Sequence, residues 1–467
     1  MWSTGIYLCR KCVKVNRVKT GRLTATGVDG SIRAQTMSRV LVIGSGGREH
    51  AIVWALQHTA TNPSEIFCVP GNAGIGQIAQ VVNVSIDHHA ALAEFAESAN
   101  IDLTFVGPEA PLAAGIVDLF NERGLRIVGP TAAAARLEAS KIFAKDFMAR
   151  HKIPTAAYRV AESPEEAIRH LRSGEFGSVQ SPVVIKADGL AAGKGVVVAA
   201  EHAEAENAIA DLMVHHVAGR EAAQRVVLEE ALTGTEASLL VFADGRDYAL
   251  MPAARDHKRI GENDTGPNTG GMGTITAASV LENSVEERVV REIVEPTLAG
   301  ARAEGFDFKG VLFLGLMLTE AGPKLLEYNV RFGDPETQAI LVRLKTDLLS
   351  IFEAMENQTL GQLKVEWAEG SSACVVAANK GYPGKYEKGA VIEGLDAIDD
   401  RTVQVFHAGT SKDAEGRFIA TGGRVLGVTA AAENLSAALN VCYESLAKIH
   451  WPGMQFRRDI GKQAATG

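Results

Sequence analysis

The stretch Lys324-Leu325-Leu326-Glu327-Tyr328-Asn329-Val330-Arg331-Phe332-Gly333-Asp334-Pro335-Glu336 decides how the chain is read. Its first half is an extended run, and side chains alternate faces along a strand. Glu327, Asn329 and Arg331 therefore share one face, and Leu326, Tyr328 and Val330 are expected to point into a core. A carboxylate and an amide oxygen two residues apart suit Mg²⁺, which takes hard oxygen ligands and shares them with phosphates. Mn²⁺ accepts the same donors. The adjacent guanidinium suits an anion. Alone, the pattern would as readily be a solvated strand face carrying a Glu–Arg pair. Residues 311–319 and 324–330, joined by Glu320-Ala321-Gly322-Pro323, read as a hairpin from their turn residues.

Glycine-rich segments upstream favour the metal reading. Lys186-Ala187-Asp188-Gly189-Leu190-Ala191-Ala192-Gly193-Lys194-Gly195 resembles a P-loop, but it is one residue short and Gly195 replaces the Ser or Thr. A Val-rich strand follows it rather than a helix. Such a loop between strands folds over phosphates as a lid, with backbone N–H groups as donors. Gly44-Ser45-Gly46-Gly47-Arg48-Glu49-His50 follows a strand and opens a helix, but Glu49 stands where a dinucleotide turn needs its third glycine. The next strand ends in Pro70 and Gly71 instead of an acid, so the NAD reading fails twice. An anion at the helix N-terminus fits the turn, as does no ligand at all. Residues 226–232 and 233–238 read as strand, connector and strand, whose edge could pair with an adenine. Asp256-His257-Lys258-Arg259 precedes a run from Asp264 to Gly273 with four glycines in ten residues. That density excludes a core element and predicts a loop whose backbone approaches a ligand closely.

The 467 residues are 46% hydrophobic and 22% charged, ordinary for a globular protein, and their number predicts about three domains. A net charge of -9 argues against a nucleic-acid partner. The lack of an 18-residue apolar run argues against a membrane span. Five cysteines make no disulfide framework and fit a reducing, cytoplasmic setting. Residues 1–36 are a basic extension, with Arg10, Lys11, Lys14, Arg17, Lys19, Arg22 and Arg33 against Asp29 alone. They read as a transit peptide or, in our preferred reading, as a start placed too early, with Met37 the initiator. Cys9-x-x-Cys12 lacks a second ligand pair for zinc. From Val40, β-rich runs at 40–43, 66–69, 103–106 and 126–128 alternate with helical patterns at 49–57, 90–98 and 112–122. This is the signature of a parallel sheet. Ser140 is expected to cap a further helix.

Taken in order, several words resemble the ATP-grasp superfamily and, within it, the phosphoribosylamine–glycine ligase family, from Met37 to about Gly461. They are Gly46-Gly47-Arg48-Glu49-His50, Pro70-Gly71-Asn72-Ala73-Gly74, Gly107-Pro108-Glu109-Ala110-Pro111-Leu112 and residues 186–195. Asp256-His257-Lys258-Arg259, residues 265–273 and Arg331-Phe332-Gly333-Asp334-Pro335-Glu336-Thr337-Gln338 complete the set. The resemblance implies an α/β and α+β chain with a Rossmann-like N-terminal domain (37–139) and an ATP-grasp domain of two subdomains (140–364, lid about 159–230). A strand-rich C-terminal domain (365–467) would close the site. It also implies ligation of glycine to 5-phosphoribosylamine through glycyl phosphate, with ATP cleaved to ADP and phosphate, in purine biosynthesis.

The roles it implies are as follows. Glu327 and Asn329 hold Mg²⁺ or Mn²⁺. Lys141 and Lys186 contact phosphates, and Gly189, Gly193, Lys194 and Gly195 close over them. Glu229, Glu230 and Leu232 line the adenine and Glu236 the ribose. Gly47, Asn72 and Glu109 meet phosphoribosylamine. Asp256, Lys258, Asn268, Thr269, Gly270, Gly271, Met272, Gly273, Arg331 and Asp334 complete the substrate site, with Arg331 and the 268–273 loop near glycine or the acyl phosphate. Arg331 and Lys186 serve catalysis without a nucleophilic side chain. The partners are small molecules, and a monomer is expected although the sequence does not give the oligomeric state. Another carboxylate–amine ligase or a biotin-dependent carboxylase shares the fold. An NAD-dependent oxidoreductase and a non-catalytic nucleotide-binding module are the readings from other classes.

Overall fold

The computed structural model describes residues 37–191, 195–399 and 401–462. The expectations for residues 1–36, including Cys9 and Cys12, and for Gly193 and Lys194 lie outside them. Residues from Met37 onward form one compact unit.

Its N-terminal part is a five-stranded parallel sheet in the order Gln80–Val81, Ser64–Pro70, Ser38–Gly44, Leu103–Val106, Ile127–Val128. Val40, Val42, Leu103 and Phe105 are buried on the sheet, as the apolar runs require. The strand order reverses between Ser38–Gly44 and Leu103–Val106, and open α/β sheets bind ligands at the carboxyl ends of such a pair. Gly44 and Gly107 leave those two ends side by side, since Ile43 pairs with Val106. The helix expected over 112–122 is instead two, Glu109–Ala113 and Ile116–Glu122, because Gly115 takes a left-handed φ of 83° between them.

The lid is a four-stranded antiparallel sheet in the order Tyr158–Ala161, Val226–Glu230, Val183–Ala187, Val196–Ala199. Helices Pro164–Arg172 and His202–Met213 cover it and bury Leu171, Ile209 and Leu212. The glycine-rich loop joins two paired strands, with Lys186 opposite Val196.

A ten-stranded sheet dominates the rest, beside a two-stranded and a three-stranded sheet. Its main path runs Gly322–Asn329, Lys309–Thr319, Thr235–Asp244, Ala254–Asp256, Gly273–Thr276, Ser371–Asn379, Arg424–Ala432, Gln404–His407. The C-terminal region therefore continues the central sheet, with Thr274 paired to Cys374. The run 264–273 is not a loop throughout. Arg259–Gly261 and Thr265–Asn268 pair as a hairpin, Gly273 starts a strand, and Met272 is fully buried.

In the decisive hairpin Gly315 faces Glu327 and Leu316 faces Leu325, so Leu326 has no opposite residue. This β-bulge shifts the alternation. Leu325 goes into the core in place of Leu326, while Tyr328 and Val330 are buried as expected. Ser140 caps the helix Lys141–Arg150, accepting a hydrogen bond from the Phe143 amide at 3.1 Å. Among the described residues no helix is long and apolar enough to cross a membrane. Cys68, Cys374 and Cys442 are free and buried.

Candidate active site

The bulge frees the Leu326 carbonyl from the ladder, and the Lys186 ammonium donates to it at 3.0 Å. Lys186 also lies 2.9 Å from Glu229. Lys145 reaches the other Glu229 oxygen at 2.7 Å and donates to the Thr155 hydroxyl at 2.8 Å. Thr155 in turn donates to the Leu325 carbonyl at 2.6 Å. Lys141, Lys145, Lys186, Glu229, Leu326 and Glu327 line one small cavity. Burial and the neighbouring Lys186 push Lys145 down to about 8, against the opposing pull of Glu229.

Glu229, expected to line the adenine, turns its carboxylate towards two lysines. Its carboxylate is the counter-ion of two lysines and is 1% exposed. Lys145 was missed from sequence, although Lys141 and Lys145 stand four apart on one helix, the spacing that places two side chains on one face. Glu230 accepts from Lys324 and from the Ala157 amide, both at 3.1 Å, leaving the connector 231–234 between the lid and the large sheet. Leu232 is half-buried there. Glu236 is exposed and pairs with Lys258 at 2.8 Å.

Burial alone would raise the Glu327 carboxyl, but Lys258, Lys141, Lys186 and Arg331 outweigh it and hold it below its usual range. It is thus a carboxylate. A Cβ on the facing Gly315 would come within 3.2 Å of Glu327 Cγ, so the glycine leaves room for that side chain. Asn329 presents its amide oxygen on the same face and accepts from Arg331 at 3.1 Å. Among the described residues no three acidic, His or Cys side chains converge as a metal cage. Two oxygens from the protein fit a hard divalent ion whose remaining positions are filled by phosphate and water.

Arg331, expected near glycine or the acyl phosphate, is paired with two carboxylates. Its guanidinium lies 3.2 Å from Glu109 and 2.9 Å from Glu138. Glu138, which sequence reasoning missed, also accepts from the Val330 amide at 2.7 Å. These pairs hold the strand against the N-terminal sheet.

At the glycine turn Glu49 folds back over its own backbone. It takes the Gly46 amide at 2.6 Å and the Arg48 guanidinium at 2.5 Å. A Cβ at Gly44 or Gly107 would come within 2.4 and 2.1 Å of it. The amide a dinucleotide's pyrophosphate would need is occupied. Asn72 is likewise committed. It donates to the carbonyls of Ser45 (2.9 Å) and His407 (2.8 Å) and accepts from the amides of Gly74 (2.9 Å) and Ile75 (3.0 Å). Its side chain has no hydrogen bond left for a ligand and ties the N-terminal turn to the C-terminal region instead. His50 makes the same connection, its Nδ1 accepting from the His407 amide at 2.8 Å.

Gln338 lies under Gly47, where a Cβ would meet its amide nitrogen at 2.7 Å, and donates to Asp334 at 2.8 Å. Asp334 also pairs with Arg424 at 3.0 Å. Gly270 donates its amide to the Tyr382 hydroxyl at 2.9 Å. The Thr269 hydroxyl bridges the Lys258 carbonyl (2.7 Å) and the Gly271 amide (3.0 Å), which fixes the loop from 268 to 273. Burial raises Asp256 and Glu336; Glu236 and Glu327 add to the rise at Asp256, Asp256 adds to the rise at Glu336, and Lys258 opposes both. Gly189 packs against Ala222, whose carbonyl accepts its amide at 3.0 Å.

The predicted residues thus fall into two connected groups. Lys141, Lys186, Glu229, Glu327 and Asn329 lie along the decisive strand. Gly47, Glu109, Arg331, Asp334 and the glycine loop lie where the N-terminal sheet, the large sheet and its C-terminal strands meet.

Family comparisons agree with this layout. Residues 38–138, 139–337 and 372–463 match the N, ATP-grasp (A) and C domains of phosphoribosylglycinamide synthetase. A phosphoribosylamine–glycine ligase of Pseudomonas aeruginosa is 49% identical over 430 residues, covering 91% of this chain and 98% of its own. One from Caldanaerobacter subterraneus is 45% identical over 423 residues, covering 90% and 99%. The crystal structure of phosphoribosylamine–glycine ligase from Thermotoga maritima superposes with a TM-score of 0.77 at 34% identity, covering 90% of this chain and 99% of its own. The biotin carboxylase domain of a Hydrogenobacter thermophilus 2-oxoglutarate carboxylase superposes at 0.67 with 16% identity, a likeness of fold alone.

Proposed function

The chain belongs to the phosphoribosylamine–glycine ligase family, and from that premise we propose how its residues divide the work. The reaction joins glycine to 5-phosphoribosylamine at the expense of ATP, giving glycinamide ribonucleotide, ADP and phosphate, a step of purine biosynthesis. The observation that carries the division is the ionised Glu327 beside Asn329, facing the cavity that Lys141 and Lys186 line.

A carboxylate is a poor electrophile until one of its oxygens becomes a leaving group. ATP supplies that by phosphorylating glycine, and the acyl phosphate must then be kept from water. A divalent ion, Mg²⁺ or Mn²⁺, held by Glu327 and Asn329 would neutralise charge on the phosphates. Lys141 and Lys186 bind those phosphates, and Lys145 and Glu229 hold Lys186 in place. The 189–195 loop covers them. Backbone from Glu230 to Leu232 lines the adenine, and Glu236 lies at the ribose. Phosphoribosylamine binds at the carboxyl ends of the parallel strands, by Gly47 and Glu109. Glycine binds by Asp256, Lys258, Asp334 and the loop 268–273. The enzyme works in the cytoplasm as a monomer.

The test is an ADP-release assay with each substrate omitted in turn. Release requires glycine and phosphoribosylamine together; release that ignores glycine removes the reading.

A further inference from the structure

Arg424 is the one C-terminal side chain described above that grips two active-site segments at once. It stands on the strand Arg424–Ala432, and its side chain is 20% exposed. One guanidinium nitrogen donates to the Asp334 carbonyl at 2.6 Å and to the carbonyls of Gly270 and Gly271. The other lies 3.0 Å from the Asp334 carboxylate. Tyr382, from the same region, holds the Gly270 amide at 2.9 Å. Gln338 holds the second Asp334 oxygen at 2.8 Å, beneath Gly47. Two segments far apart in sequence, 270–271 and 334, are thus set against each other by one planar fork. Gly271 has a φ of 106°, which leaves that backbone without intrinsic stiffness.

We propose that Arg424 is a positioning residue that couples ATP cleavage to ligation. It fixes the Gly270–Gly271 backbone and the Asp334 carboxylate in one geometry, so that glycyl phosphate meets the amine before water. The proposal rests on the reading of Asp334 and the 268–273 loop as the glycine end of the site. A lysine cannot replace the fork, because a single ammonium does not present two nitrogens in a fixed plane, one towards the Gly270 and Asp334 carbonyls and one towards the Asp334 carboxylate. Displacement of a substrate-holding segment by about 1 Å costs about a hundredfold in rate.

The experiment compares wild type, Arg424→Gln and Arg424→Lys for thermal midpoint, MgADP affinity, kcat/KM for glycine, and ADP formed per glycinamide ribonucleotide formed. In both variants we expect unchanged MgADP affinity, kcat/KM for glycine lowered about a hundredfold, and an ADP-to-product ratio above one. Added guanidinium ion should partly restore the ratio in Arg424→Gln. A ratio of one with wild-type kcat/KM overturns the proposal. So does a fall in MgADP affinity that tracks the fall in kcat/KM, which is the mark of general disruption. If the arginine variants are insoluble, Tyr382→Phe removes only the hydroxyl that accepts from the Gly270 amide. It should raise the ratio, and an unchanged ratio overturns the proposal. Failure of wild type to form product from glycine and phosphoribosylamine would instead sink the assignment of function.

Discussion

Lys145 and Lys186 share a single carboxylate, Glu229, at 2.7 and 2.9 Å, in a pocket where all three are nearly inaccessible to water. With Lys141 and Glu327 the same cavity holds three lysines against two carboxylates, which leaves it short of negative charge, the condition a polyphosphate satisfies. Removing the shared anion should therefore harm both the fold and nucleotide binding. Glu229→Gln is expected to lose about 3–5 kcal/mol of stability, typical of a broken buried pair, read by urea denaturation. It should also raise KM for ATP more than KM for glycine.

Lys145 also sets a pH dependence. Its folded pKa is lowered to about 8 from 10.5, so the unfolded chain binds more protons between those values. Stability contributed by this group consequently rises with pH across that window, while its charge near the phosphates is lost above about 8. KM for ATP should climb as pH passes 8, and Lys145→Met should flatten that part of the profile.

The oxygen pair on the decisive strand is the next target. Glu327→Ala with Asn329→Ala should lower kcat by at least about 10²–10³-fold, the usual cost of losing electrostatic stabilisation of a developing charge. The thermal midpoint should change little. Near-normal turnover with Mg²⁺ would show that these oxygens do not serve the metal.

Gly315→Ala tests the same pair from the opposite strand. A methyl 3.2 Å from Glu327 Cγ forces that side chain to shift, at about 1–3 kcal/mol for overpacking. The Mg²⁺ concentration for half-maximal activity should rise, while KM for phosphoribosylamine stays put.

His50 and His407 join the N-terminal turn to the C-terminal strands while uncharged. Burial lowers His50 to about 3, with His407 adding to it, and burial lowers His407 to about 4. Both folded values lie below the unfolded 6.5. Their contribution is complete above pH 6.5 and is lost as pH falls through the folded values. Thermal midpoints should drop on acidification below 6.5, and a His50→Asn variant should show a shallower drop.

Much of this was readable because the motifs carry their own geometry. The parallel sheet follows from apolar runs at 40–43, 66–69 and 103–106, and the shared face of Glu327, Asn329 and Arg331 follows from strand alternation alone. What escaped is what pairing between distant segments decides. The bulge at Leu326 arises only when Gly315 and Leu316 take their partners, so the facing of Leu325 and Leu326 was misjudged. Glu229 and Arg331 carry the charges expected of ligands, but their partners Lys145 and Glu138 arrive from two helices distant in sequence, which local pattern does not announce. Asn72 sits in a recognisable word, yet its four partners include His407, 335 positions away. The chain's local pattern says nothing of that meeting.

The ladder that runs unbroken from the hairpin carrying Glu327 and Asn329 through Gly273–Thr276 into Ser371–Asn379 limits how this enzyme opens. A continuous sheet does not fold about its own middle, so the carboxy-terminal strands are a fixed wall. Entry and exit of nucleotide then fall to the small separate sheet, tethered through Ala157 and Glu230, which hydrogen-bond to each other at 3.0 Å. Cutting the protein near residue 365 would not release a domain but strip the wall and bare an unpaired β edge.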